Sequence, residues 1–144
     1  MIAKESLAFD DVLLTPNVYS DKRSRLGGDT STMVGPLKLR IPIVSSPMDT
    51  VTELEMVTAI SRLGGLGVLH RFMPPKEQAS MMREMFLPPD EKVYIVPAVG
   101  VTKDEIDRAR YLYSEFGNKI DMFAIDIANG YHVLMKEAIL EIQD

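Results

Sequence analysis

Cysteine is absent from the 144-residue sequence. The chain can therefore form no disulfide, bind no metal through a thiolate and supply no thiol nucleophile. Long apolar runs are also absent, which argues against a signal peptide or a membrane span and predicts a cytoplasmic protein. Basic residues form no block, and 16 Lys and Arg against 21 Asp and Glu give a formal net charge of −5. Neither a nucleic acid nor a membrane is expected as a partner.

The length predicts a single domain over residues 1–144, too short for a second full domain. Residues 1–40 are interpreted as a lead-in segment that ends in a hairpin. Gly35-Pro36 is a turn dipeptide between two short apolar stretches, 30–34 and 37–39, and it predicts that hairpin. Residues 41–144 carry a repeating pattern of strands and helices and form the main part of the predicted domain.

The main part of the sequence alternates an apolar strand with an amphipathic helix four times. The predicted strands cover residues 41–44, 66–70, 93–100 and 122–127. This alternation is typical of a parallel α/β sheet with right-handed connections. No glycine-rich nucleotide fingerprint accompanies it, which argues against the open-sheet folds that carry one. A complete (β/α)8 barrel needs about 250 residues, so the sequence predicts four βα units, or half of a TIM-type barrel.

Two helix starts are predicted from the spacing of a hydroxyl and a carboxylate. Thr50-x-x-Glu53 and Thr102-x-x-Glu105 both match the capping box, in which the hydroxyl and the carboxylate satisfy free backbone N–H groups of the first turn. Gly64-Gly65 is expected to end the first of these helices, because a left-handed residue is favoured there.

Polar and small residues follow each predicted strand at the point where the strand ends. They are Ser45-Ser46, His70-Arg71, Gly100-Val101-Thr102 and Asp126-Ile127-Ala128-Asn129. Because the carboxyl ends of parallel strands meet at one edge, these residues are predicted to share the rim where α/β folds place their chemistry. Two alternatives stay open: Asp126 could cap the fourth helix, and His70 could be a satisfied histidine near the core.

Several motifs, in the right order along the chain, resemble the IMP dehydrogenase and GMP reductase family. The stretch from Ser45 to Glu53, Ser-Ser-Pro-Met-Asp-Thr-Val-Thr-Glu, closely resembles the first barrel strand and loop of that family. Leu69-His70-Arg71-Phe72 and the stretch from Asp126 to Tyr131 resemble GMP reductases in particular, whereas the first motif resembles IMP dehydrogenases. The subfamily therefore stays open. The link between the second and third strands has no room for the paired regulatory domains of most IMP dehydrogenases.

The resemblance implies an NAD- or NADP-dependent oxidoreductase that acts on a purine 5′-monophosphate in guanine nucleotide metabolism. It implies cofactor contacts at Asp126, Ile127, Ala128, Arg71, Ser24 and Arg25, with Arg71 facing the dinucleotide phosphates. It implies nucleotide contacts at Ser46, Met48, Asn129 and Gly130, with the last two also shaping the turn after the fourth strand.

The reactions of this family proceed through a cysteine thiolate bonded to C2 of the purine, on a loop in the second half of the barrel. These 144 residues contain no cysteine, so no catalytic residue and no metal ligand is predicted in them. Two hypotheses follow. The chain is either the amino half of the oxidoreductase, inactive alone, or a non-catalytic half barrel that binds a nucleotide or a partner subunit. A second copy of the chain or a complementary carboxyl-half chain is the expected protein partner.

Overall fold

A computed structural model of the chain describes residues 6–16, 19, 21–86 and 92–143, and it has an α/β fold. Its strands are β1 (Thr32–Val34), β2 (Leu37–Leu39), β3 (Val44–Ser45), β4 (Leu66–Gly67), β5 (Ala98–Val99) and β6 (Ala124–Ile125). Its α-helices are α1 (Leu54–Leu63), α2 (Pro75–Glu84), α3 (Lys103–Phe116) and α4 (Val133–Gln143). Short 3-10 turns cover Phe9–Asp11, Arg25–Gly27 and Gly117–Lys119. None of the helices in these ranges is long and apolar enough to cross a membrane.

The predicted hairpin is confirmed. β1 and β2 pair in antiparallel fashion, and Val34 lies opposite Leu37 across the turn. Gly35 has a φ of +54°, a left-handed conformation that glycine adopts without steric cost. Leu37 and Leu39 are buried and pack in one cluster with side chains of the parallel strands. The hairpin therefore covers part of the core.

The remaining strands pair in parallel and in chain order. β3 pairs with β4 and β5 with β6, and a single parallel bridge between Leu69 and Pro97 lies between the two pairs. The ladders are shorter than the predicted strands and form separate two-stranded sheets rather than one continuous sheet. Two hydrogen bonds cross between the two pairs at this bridge, from the Leu69 N–H to the Val96 carbonyl and from the Ala98 N–H to the Leu69 carbonyl. The parallel α/β class is confirmed, and these short sheets alone do not define a half barrel.

Both predicted helix starts are close to the observed ones, but the capping boxes are wrong. Glu53 itself occupies the N-cap of α1, and Thr102 occupies the N-cap of α3, and neither cap makes a side-chain hydrogen bond. The carboxylates bind strand ends instead: Glu53 lies 3.3 Å from the ring of His70, and Glu105 accepts from the Gly100 N–H. The predicted end of α1 is confirmed.

The helices bury one face each, with two differences from the sequence pattern. On α3, Ile106 and Leu112 are buried as expected, but Tyr113 is 59% exposed and Arg108 is buried. On α4, Ala138 is buried, whereas the other apolar side chains of the predicted face are exposed or only partly buried. α4 packs against α3 at one side of the fold, so it has fewer neighbours to cover that face.

Replacement of Gly67 by alanine is expected to destabilise the fold by about 3 kcal/mol. An added Cβ would lie 2.7 Å from the Val57 Cα of α1, so helix and strand would have to separate. The urea midpoint of unfolding measures the effect. Gly130→Ala is the matched control, because nothing lies within 4 Å of a Cβ at that position. Equal midpoints for the two variants would contradict the close approach of α1 to β4.

Candidate functional site

Arg71 follows the second predicted strand and contacts Asp126 at the end of the fourth, so it connects two strand ends at the predicted rim. Its Nη2 donates to the carbonyl oxygen of Asp126 at 3.2 Å, and its Nε lies 3.7 Å from Asp126 Oδ2. Its Nη1 lies 3.8 Å from Glu105 Oε2, and the guanidinium carbon is 5.0 Å from the centre of the Phe72 ring. The side chain is 24% exposed. One arginine thus lies between two carboxylates at the carboxyl ends of the parallel strands.

Gly100 makes this arrangement sterically possible. A Cβ at this position would lie 2.9 Å from Glu105 Cγ and 3.4 Å from Arg71 Cζ. Its N–H donates to Glu105 Oε2 at 2.8 Å. Glycine is therefore required by the close approach of Glu105 and Arg71 rather than by an unusual backbone angle.

The loop after β3 is tied to the end of the second predicted strand through Thr52. The Thr52 hydroxyl donates to the Ser46 carbonyl at 2.5 Å, and its N–H donates to the Met48 carbonyl at 2.9 Å. The His70 N–H in turn donates to the Thr52 carbonyl at 3.4 Å. Thr52 is fully buried, whereas Ser46 and Met48 are exposed. The loop therefore has a buried anchor and presents both predicted nucleotide residues to solvent.

Both ring nitrogens of His70 have a polar neighbour, which agrees with the alternative that His70 is a satisfied histidine near the core. It is 2% exposed. Its Nδ1 accepts from the Phe72 N–H at 3.1 Å, and its Nε2 lies 3.3 Å from Glu53 Oε1. Because Nδ1 is an acceptor, the proton of the neutral ring is assigned to Nε2, which donates to the carboxylate.

Asp126 does not cap the fourth helix, so that alternative is wrong. α4 begins at Val133, and the intervening turn is formed by Asn129, whose Oδ1 accepts from the Tyr131 N–H at 2.9 Å. The Asp126 side chain is 34% exposed and faces Arg71. Ile127 is partly buried, and the turn that follows is exposed, including Ala128, Asn129 and Gly130.

Ser24 and Arg25 lie in an exposed 3-10 turn of the lead-in segment. Ser24 Oγ accepts from the Leu26 N–H at 3.2 Å, which is a contact within the turn. The structure brings Arg71 and Asp126 together, but within its described ranges it shows no contact of Ser24 or Arg25 with either residue.

Three residues that interact with this rim were not predicted as site residues. Glu105 lies next to Arg71, and Arg108 and Gln78 continue the polar contacts into the core. The sequence contains a signal for Arg108, because it lies three residues after Glu105 on the otherwise apolar face of α3. Gln78 lies beside Ala79 on the buried face of α2 and carries no comparable signal.

The rim fits part of a dinucleotide. The partly exposed Asp126 carboxylate can accept hydrogen bonds from a ribose hydroxyl or a carboxamide, and the turn after β6 is exposed to solvent. Arg71 suits a phosphate less well, because Glu105 and Asp126 already surround its charge. No group of three or more potential metal ligands occurs among the described residues.

Comparison with known proteins assigns the family. The family model described as "IMP dehydrogenase / GMP reductase domain" matches residues 6–144, and the chain belongs to this family of oxidoreductases of guanine nucleotide metabolism. The inosine-5′-monophosphate dehydrogenase of Methanocaldococcus jannaschii is 44% identical over 104 residues, which are 72% of this chain and 20% of that protein. The same enzyme of Korarchaeum cryptofilum is 40% identical over 113 residues, 78% of this chain and 23% of that protein.

A solved structure agrees in fold. The crystal structure of inosine 5′-monophosphate dehydrogenase from Legionella pneumophila superposes with a TM-score of 0.82 at 30% identity and covers 96% of this chain. The match spans 41% of the Legionella chain. The chain thus corresponds to about a fifth of each curated relative and about two fifths of the solved one.

Proposed function

We propose that residues 41–144 form the amino half of a (β/α)8 barrel of a cytoplasmic, NAD-dependent oxidoreductase that acts on a purine 5′-monophosphate. Parallel pairing in chain order supports the barrel, because consecutive neighbours are what a (β/α)8 barrel requires. Hydrogen bonds continue beyond the short ladders, as from the Asp126 N–H to the Val99 carbonyl at 2.8 Å. The Legionella enzyme adds a relative of known fold that aligns over nearly the whole chain.

The dinucleotide is assigned to the rim around Asp126, and the contact between Arg71 and Asp126 is the observation that carries the assignment. NAD accepts a hydride when it is bound. Asp126 would accept hydrogen bonds from the dinucleotide, Ile127 and Ala128 would line its ring, and Arg71 would orient the carboxylate. Ser24 and Arg25 would reach the rim only if the lead-in turn packs over it. NADP is the alternative cofactor if the chain works as a GMP reductase, which the motif from Asp126 to Tyr131 favours.

The purine nucleotide is assigned to the neighbouring loops. Ser46 and Met48 are exposed on a loop that Thr52 anchors, and Asn129 and Gly130 are exposed in the turn after β6. Both loops follow parallel strands, so both belong to the carboxyl-end rim. A nucleotide between them would contact both sides of that rim.

A non-catalytic half barrel is the second candidate, and the exposure of the lead-in segment favours it. Phe9, Leu13 and Leu14 are each at least 96% exposed, and Leu26 is 96% exposed. Apolar side chains exposed to this degree are typical of a surface that a protein partner covers. A second copy of the chain or a complementary carboxyl-half chain is the proposed partner.

Titration of the chain with NAD is expected to give weak binding that depends on Asp126. Asp126→Asn keeps the shape but removes the charge, and it should weaken NAD binding by roughly ten- to hundredfold, since a charged hydrogen bond contributes about 1.5–3 kcal/mol. Calorimetry with NAD and with IMP or GMP makes the measurement. Asp107→Asn is the control, because Asp107 is exposed on α3 and pairs with Lys103 and Arg110. Micromolar binding of IMP or GMP without any response to NAD or NADP would contradict the assignment of the dinucleotide to this rim.

A further inference from the structure

A series of hydrogen bonds between buried polar side chains connects the core to the rim. Gln78 on α2 is fully buried, and its Nε2 donates to the carbonyl oxygens of His70 at 3.1 Å and Ala98 at 3.0 Å. These two acceptors fix the orientation of the amide, because a flipped amide would turn its oxygen toward both carbonyls. Its oxygen therefore faces α3, where it accepts from Arg108 Nη1 at 3.1 Å.

Arg108 extends these contacts to Glu105. The Arg108 side chain is 9% exposed, and its Nε donates to Glu105 Oε1 at 3.1 Å. A buried guanidinium without a paired carboxylate is destabilising, because its charge is left uncompensated. Arg108 and Glu105 therefore hold each other in place. The second oxygen of that carboxylate accepts from the Gly100 N–H and lies 3.8 Å from Arg71 Nη1.

The charges along this path alternate in sign. Arg108 is positive, Glu105 negative, Arg71 positive and Asp126 negative, so Glu105 is shared between two arginines and Arg71 between two carboxylates. Arg71 lies 3.8 Å from one carboxylate and 3.7 Å from the other, farther than a hydrogen bond in both cases. Its Nη2 donates to the Asp126 carbonyl at 3.2 Å, so its position depends on that bond together with how much of the Glu105 charge Arg108 already balances.

We propose that Gln78, Arg108 and Glu105 form a positioning relay that holds Arg71 beside Asp126 and so sets the shape of the dinucleotide rim. The inference rests on the proposed function only in treating Asp126 as a dinucleotide residue. Without Arg108, Glu105 has Arg71 as its nearest cation, and Arg71 moves toward Glu105 and away from Asp126. The three relay residues are positioning residues that act through Arg71.

Replacement of Arg108 by methionine tests the relay, because methionine keeps much of the apolar volume and removes the guanidinium. Solution NMR of the 144-residue chain follows hydrogen exchange at the guanidinium N–H groups of Arg71, of which Nη2 donates to the Asp126 carbonyl at 3.2 Å. In the Arg108→Met chain we expect exchange at these groups to become about tenfold faster than in the unmodified chain, while exchange at the amides of α3 stays unchanged, since local opening does not require global unfolding. Arg108→Lys should recover part of the protection, because it restores the charge but not the guanidinium geometry that bonds Glu105 through Nε and Gln78 through Nη1.

Arg110→Met is the matched control on the same helix. Arg110 is exposed and pairs with Asp107 and Glu141, outside the relay. A purely structural role for Arg108 would speed exchange uniformly over the chain, and unchanged exchange at Arg71 in a folded Arg108→Met chain would likewise overturn the proposal. If Arg108→Met does not fold, Glu105→Gln replaces it. That variant should shift the Arg71 and Asp126 resonances together, and unchanged resonances would overturn the relay.

NAD titration of the same samples separates the two proposals. In one outcome, NAD does not change the Asp126 resonances of the unmodified chain, but Arg108→Met still speeds hydrogen exchange at Arg71. The cofactor assignment is then wrong, and the positioning relay is supported. If NAD perturbs Asp126 equally in the unmodified, Arg108→Met and Arg110→Met chains, the relay does not position the rim and the inference fails. Loss of the NAD response in Arg108→Met alone supports both proposals.

Discussion

The purified 144-residue chain is expected to show no oxidation of IMP and no reduction of GMP above background with either NAD or NADP. The resemblance to IMP dehydrogenases and GMP reductases implies a covalent step through a cysteine thiolate, and these residues include no cysteine. Removal of a covalent nucleophile eliminates the reaction path, and such losses reach a factor on the order of 10⁶. The absorbance of the reduced nicotinamide measures the rate in both directions.

The full-length Methanocaldococcus jannaschii relative is the positive control for the same assay. A mixture of this chain with the remaining part of that relative tests whether a complementary part restores turnover. Recovery of turnover in the mixture would support the oxidoreductase half over the non-catalytic half barrel. Turnover by the 144-residue chain alone would contradict this account of the chemistry.

The sequence alone was sufficient to predict that Arg71 and Asp126 lie at the same rim. Each follows a predicted parallel strand, and the carboxyl ends of such strands lie at the same edge whatever the details of packing. The observed separation of 3.7 Å between Arg71 Nε and Asp126 Oδ2 is consistent with that argument. Gly100 was placed at the rim for the same reason, but its steric role depends on side chains from two other elements.

The polar partners could not be predicted because they depend on tertiary register. Glu53 and Glu105 match a local capping pattern, yet both bind groups at strand ends instead. The local pattern predicts where a helix begins. Whether the carboxylate then caps that helix or binds a strand end depends on the position of the neighbouring strand. Gln78 likewise has two carbonyl acceptors, from His70 and Ala98, that are distant in sequence.

The exposed surface of the chain exceeds that of a typical globular monomer of its mass, and residues 6–16 and 21–30 of the lead-in segment are exposed throughout. The exposed surface amounts to 10905 Å². A globular monomer of 16.1 kDa exposes about 7400 Å², so the excess is about 3500 Å². A standard interface buries about 800 Å² on each partner. Ile43 and Val44 contribute to the excess and are 53% and 47% exposed. They lie at β3, which within the described part of the chain is paired on one side only, with β4.

The chain is therefore expected to associate, either with a second copy or with a separate carboxyl half, and a lone chain at low concentration should be partly molten. An unpaired strand edge with apolar side chains favours edge pairing, and a lysine on the edge opposes it. Val44→Lys should shift the mass from light scattering after gel filtration toward the monomer. Met33→Lys on β1 is the control, because Met33 is also exposed, at 58%, but lies in the hairpin. A compact monomer that unfolds cooperatively would instead mean that the four strand–helix units close over their own core, and the half-barrel proposal would be wrong.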